Sequence, residues 1–435
     1  MQALLSFEQA PPIGAPLRYF LTAPLFAMLA GALLLWSGPG LLVSRWSPAA
    51  LALTHLITAG FMLQVMLGAL QQLLPVVAGA NIAQPQRIAT LVHAAITPGA
   101  LLLVAGFLTG LPLLFGAAFV LLGAGVLLFL VAAARALYGV PASSPLIRGF
   151  RLALVGLAVT VGLGLTLLLV LTGVLGLALV PLTNLHVGWG FVAWGCALLG
   201  AAGFVAVPMF QQTPEYPGWF GRGFAYAALG LVLCWSAAEL AGWVRGAALL
   251  AVGVVLVGVV FALTTLHLQR RSKRAKFAAT QRFWQIAMLS ALAGCLLWGL
   301  ARALPALDAW AGWPLLFGTL LLFGSFMSVM VGMLYKIVPF LIWLHLQNRG
   351  RGRLKTPNMK QVLAEKQIDR QMLAHFAACA LLVLAVFWPI WFVYPAGLAL
   401  LVANAWLLRN LLLATAVYRQ QLKKIAALAP LAPLP

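Results

Sequence analysis

Apolar runs of about 20 residues recur along the whole chain, the length a helix needs to cross the hydrocarbon core of a bilayer. The runs are continuous, whereas the strands of a membrane barrel alternate over about ten residues, so sheet is excluded. With 64% hydrophobic and 8% charged residues among 435, the chain is not soluble. The expected fold class is all-α integral membrane, with about twelve transmembrane helices in a single domain over 1–435.

The spans are expected near 19–42, 49–75, 88–110, 112–136, 150–174, 184–209, 221–243, 246–267, 282–304, 313–343, 371–394 and 396–418. GALLLWSGPG after span one and ALVP after span five read as helix stops. The N-terminus, MQALLSFEQAPPIGAPLRYF, lacks the basic start and cleavage site of a secretory signal, so span one is expected to be retained. The segment 419–435, ending IAALAPLAPLP, is expected to be a frayed tail.

One stretch is repeated. THLITAGFMLQVMLGALQQLLP, Thr54 to Pro75, aligns without a gap with GSFMSVMVGMLYKIVP, Gly324 to Pro339, placing Gly60 on Gly324, Gly68 on Gly332 and Pro75 on Pro339. A looser copy, HVGWGFVAWGCALLGAAGFVAVP, runs from His186 to Pro208. The near-even spacing predicts three pseudo-repeats of four spans, about 19–136, 150–267 and 282–418.

Charge gives the orientation. On one side lie Arg18, Arg87, Arg135, Arg148, Arg151, Arg222, the runs RRSKRAKFAATQR and RGRGRLKTPNMKQVLAEKQIDR, and Arg419, Lys423 and Lys424. The other side carries only Arg45, Arg245 and Arg302. Twenty-two basic residues against three predict both termini in the cytoplasm of a bacterial-type inner (plasma) membrane. The net charge of +21 is spent on topology and calls for no nucleic acid. The two long basic loops could meet anionic membrane lipid or a partner protein.

Orientation sets the depth of the polar residues. His55 on span two and His186 at the start of span six are the one histidine pair on the outer side. Glu239, toward the outer end of span seven, is the single acid within a span and could serve as a ligand or as a partner that orients an imidazole. His93, His267, His345 and His375 fall near inner ends, where interface contacts are expected. Lys336 and Arg409 are expected to snorkel. Met62, Met66, Met327, Met330 and Met333 read as packing, although thioethers also suit copper(I). Cys196, Cys234, Cys295 and Cys379 form no CxxC or CxxCH motif. Gln64, Gln71, Gln72, Asn184 and Asn404 are expected to bond between helices.

Twelve spans, inner termini, a threefold repeat and an outer histidine on span two resemble the haem–copper oxidase subunit I architecture. HLITAGFMLQVMLGALQQLLPVVAG, LHVGWGFVAWGCALLGAAGFVAVPMFQ and GMLYKIVPFLIWLHLQ are also similar to phrases of NnrS-like membrane proteins, a family linked to haem and nitric-oxide stress. The resemblance implies haem ligands on spans two and ten and copper ligands on spans six and seven. His55 matches the span-two ligand, and His186 stands near the start of span six. Span seven has no histidine, and the outer half of span ten carries Thr319 and Gly324 instead. The expected function is therefore an oxidase-like membrane protein holding b-type haem or copper at His55 and His186, without a complete binuclear centre and with a redox partner protein in view. Two alternatives stay open: a transporter or permease, and a non-catalytic subunit or assembly factor on the same scaffold.

Overall fold

The structure is a computed structural model and describes residues 7–141, 144–274, 278–350 and 356–427. All regular elements among these are helical. Twelve are long and apolar enough to cross a membrane, which makes this a multi-pass membrane architecture. Spans one to six are Gly14–Val43, Pro48–Ala78, Pro85–Thr109, Pro112–Leu137, Pro145–Leu171 and Leu179–Gln211. Spans seven to twelve are Gly218–Leu240, Val244–Arg270, Ala279–Ala303, Trp313–Gly350, Glu365–Phe387 and Pro389–Ala426.

Proline places many of the starts. Spans two, three, four, five and twelve each begin with proline in the first helical turn, where its missing N–H costs nothing. Ser47 and Ser144 add side-chain caps, accepting from Ala50 N and Ile147 N. Two expected breaks move. ALVP does not close span five, which ends at Leu171; its Val180 and Pro181 lie in the first turn of span six. The last two spans part at Trp388, not near Pro395, because Pro389 opens span twelve and Pro395 sits within it. Span twelve also continues to Ala426, so Arg419 to Lys424 are helical rather than frayed, and 428–435 lie outside the described residues.

Spans two, six and ten form the inner layer. In their most apolar stretches 72%, 56% and 67% of residues are buried, against 22–50% in the other nine. Span six meets span ten through stacked rings of Phe191 and Phe326, 5.8 Å apart. The chain closes on itself where span one crosses span twelve backbone to backbone: a Cβ on Gly31 would lie 2.7 Å from Gly397 O. Gly68 faces Phe20 of span one and Gly332 faces Phe283 of span nine, in each case with an added Cβ 2.7 Å from the ring residue. The expected methionine packing holds for Met62, Met66, Met327 and Met330, all buried.

Each inner span also departs from the α-helix. Leu56–Met62, Trp189–Cys196 and Thr319–Met327 are π-helical. Such turns insert a residue into the ladder and re-aim every side chain beyond them, and they recur at functional sites.

Candidate functional site

His55 and His186 are each the eighth residue of their spans, so both rings lie about 10 Å in from the helix start. The sequence set His186 at the mouth of span six; the earlier helix start at Leu179 carries it two turns inward. Both histidines stand just before the π turns of their spans.

Their hydrogen bonds match. His55 Nδ1 donates to Leu51 O at 2.8 Å, and His186 Nδ1 donates to Thr160 O of span five at 2.9 Å. A carbonyl can only accept, so each neutral ring keeps its proton on Nδ1 and leaves a lone pair on Nε2. Neither Nε2 has a hydrogen-bond partner among the described residues. Both rings are half-buried and lie within electrostatic reach of each other. Phe107 of span three covers His55 at 4.9 Å between centroids. Gly164 of span five makes room for His186: a Cβ there would lie 3.0 Å from Cε1.

Glu239 is exposed at the end of span seven and accepts from Trp235 Nε1 at 3.2 Å. Both Nδ1 protons are already held by carbonyls, so Glu239 orients neither ring. Its link to the pair is indirect, through Trp235, whose ring fills the notch over Gly188, two residues beyond His186.

His375 is where the sequence misleads most. Span eleven starts at Glu365, six residues before its apolar run, which puts His375 in mid-span at 1% exposure rather than at an interface. Its Nε2 lies 2.8 Å from Ser328 Oγ and 3.6 Å from Cys379 Sγ, and its Nδ1 has no partner among the described residues. The signal was present in the spacing: Gln371, His375 and Cys379 fall one turn apart on a single helix face. The other histidines are less surprising. His93 Nε2 meets Thr22 Oγ1 at 2.8 Å, His345 has both nitrogens against the carbonyls of Leu341 and Pro11, and His267 is exposed in the last turn of span eight. Lys336 is half-buried within reach of Arg274 and Glu365, and Arg409 is exposed. Gln64 bonds across to Thr97 as expected, whereas Asn404 bonds to Leu400 O of its own helix and Gln72 finds no partner among the described residues.

Among the described residues no group of three or more His, Cys, Asp or Glu is placed to hold a metal ion. Two imidazoles with bare Nε2 atoms fit a group that takes one or two nitrogen ligands, as haem iron or copper does. They do not fit a binuclear centre, which needs several more. No family model and no curated protein matches the chain. Among solved structures it is similar to a haem–copper terminal oxidase determined as a dimer by cryo-EM, with a TM-score of 0.57 over 96% of this chain and 85% of that one, at 14% identity. A likeness at that identity is one of architecture, and the chain accordingly has a haem–copper-oxidase-like membrane fold.

Proposed function

We propose that this is an inner-membrane metalloprotein with both termini cytoplasmic, in which His55 and His186 bind a b-type haem or copper near the outer face. The observation that carries the reading is the matched pair of rings, at one depth, each with Nδ1 locked to a carbonyl and Nε2 bare. Locking Nδ1 fixes both the tautomer and the ring angle, as orienting partners do for metal-bound histidines. The bound group would supply one-electron redox chemistry. The protein's share is to present the two nitrogens, keep the surround apolar and offer the outer face to a redox partner protein. The resemblance of three short phrases to NnrS-like proteins is what supports a role connected with nitric oxide.

The purified protein is expected to show a reduced-minus-oxidised haem spectrum, or copper by elemental analysis, and to lose it in His55→Ala and His186→Ala. Absence of both chromophore and metal from protein expressed with haem and copper supplied would end this reading. That no group of three ligands is placed to hold a metal among the described residues supports one second reading, a non-catalytic subunit or assembly factor on the oxidase-like scaffold. Stable co-purification of a cytochrome with a metal-free chain would select it.

A further inference from the structure

A groove of about 550 Å³ opens on the flank of the bundle between the basic ends of spans four and five. Leu130 and Ala134 form one wall and Leu154, Val155 and Ala158 the other, while Tyr138 and Arg151 close its end. The neighbouring surface is apolar and outward-facing: Leu127 is 62% exposed and Val155 47%. A groove on such a surface is filled by whatever solvates that surface, which for a membrane-spanning helix is an acyl chain.

Its closed end is electrostatically one-sided. Arg151 Nη2 donates to the carbonyls of Leu137 at 2.8 Å and Val140 at 2.5 Å, which anchors the guanidinium where the helix ends. That anchor uses one nitrogen, and among the described residues no carboxylate pairs with the cation; no acid occurs in the sequence between Glu8 and Glu215. Arg135, in the last turn of span four, is exposed one turn before Tyr138, itself 91% exposed. Two arginines and a phenol at head-group level, above an apolar slot, complement a phosphate diester joined to an acyl tail.

We infer that this seam is a binding site for one anionic phospholipid, its phosphate between Arg135, Tyr138 and Arg151 and one acyl chain between spans four and five. Because those spans end one pseudo-repeat and begin the next, the lipid would join two units whose direct contact is loosened there by the groove.

The test uses the full-length protein in nanodiscs of phosphatidylcholine carrying a small fraction of photoactivatable phosphatidylglycerol, or of photoactivatable phosphatidylcholine, with cross-links mapped by mass spectrometry. Phosphatidylglycerol is expected to label 130–158 several-fold above phosphatidylcholine. Arg135→Gln should cut that preference roughly fivefold, the effect of one basic residue at an anionic surface. Ala158→Phe fills the slot from an exposed position and should abolish labelling while leaving the unfolding temperature unchanged. Equal labelling by the two lipids, or labelling that survives Ala158→Phe, would overturn the assignment.

Discussion

Gly156 is the position where one methyl group should disturb the candidate site most. It lies on span five against the π turns of span six, and an added Cβ would come 2.7 Å from Trp194 N and nearer still to the Ala193 carbonyl. These are backbone atoms and cannot rotate away. Restoring ordinary contact of 3.4 Å at the Ala193 carbonyl, the nearest of these atoms, requires the two spans to part by about 1.2 Å at this point. Overpacking of this kind costs about 1–3 kcal/mol. A shift of that size along the bond stretches His186 Nδ1 to Thr160 O, one turn along span five, from 2.9 Å to about 4 Å, beyond hydrogen-bonding range. Gly156→Ala should therefore unfold more easily and release His186 from its fixed angle. Gly162→Ala is the control: same helix, same exchange, nothing within 4 Å of the new Cβ. The gain in helix propensity is common to both variants and cancels, which leaves Gly156→Ala about 1–3 kcal/mol less stable than Gly162→Ala. Reversible unfolding in detergent measures the difference, and the metal content of each variant reports on the site. Equal stability and equal metal content in the two would refute the packing argument.

Other substitutions separate the roles of individual groups. Gly164→Ala places a Cβ 3.0 Å from His186 Cε1, so the ring must turn while stability changes by less than about 1 kcal/mol; an optical spectrum identical to the parent's in the metal-loaded variant would count against His186 as a ligand. Ser328→Ala leaves His375 Nε2 without its oxygen partner and should cost about 1–3 kcal/mol. His375→Leu removes the unpartnered Nδ1 along with Nε2 and should cost less than Ser328→Ala; denaturant unfolding giving the opposite order would contradict the hydrogen-bond accounting. His345→Phe frees the Pro11 carbonyl, so the segment before span one should exchange its amide hydrogens faster, and unchanged exchange would show that the clasp is idle.

Much of the scaffold was legible because bilayer physics leaves few choices. Continuous apolar runs dictate helices, and their number follows from counting. The helix ends were harder. Pro395 reads as a breaker, yet it sits inside span twelve because neighbouring helices can satisfy the freed carbonyl, while Pro389 at a helix start does the punctuating. Glu365, Lys366, Asp369 and Arg370 end the apolar run of span eleven without ending its helix, and that gap between hydropathy and hydrogen bonding displaced His375 from mid-span to an interface. The π turns leave no trace in hydropathy, although all three touch the repeated stretch and two hold its aligned glycines, Gly60 and Gly324. They arise where helices press together, as Gly60 does against Phe26 and Gly195 against Phe326, and only the packed bundle contains that information. The histidine pair was visible as a pair, but its tautomers were not, since they depend on Leu51 O and Thr160 O.

The three π segments finally decide how many metals to expect. Each has one imidazole beside it: His55 before the first, His186 before the second, and His375 against the end of the third, contributed by span eleven. The third is not equivalent. Ser328 Oγ sits 3.1 Å from Phe323 O and can give its proton there, so His375 Nε2 is engaged with Ser328 and only Nδ1 is left bare, in a fully buried ring that Phe283 and Phe376 crowd at 5.4 and 5.5 Å. Span ten itself offers Thr319 at the position of His55, an oxygen that suits neither haem iron nor copper as a soft or nitrogen ligand would. His55 and His186 are the two half-buried rings with bare Nε2 atoms, whereas His375 is sealed in the core. The protein should carry one iron or one copper per chain, lost as a unit when either His55 or His186 is replaced, and untouched by His375→Leu. Two metals per chain by elemental analysis, or one that departs with His375, would show that the third π segment holds a ligand after all.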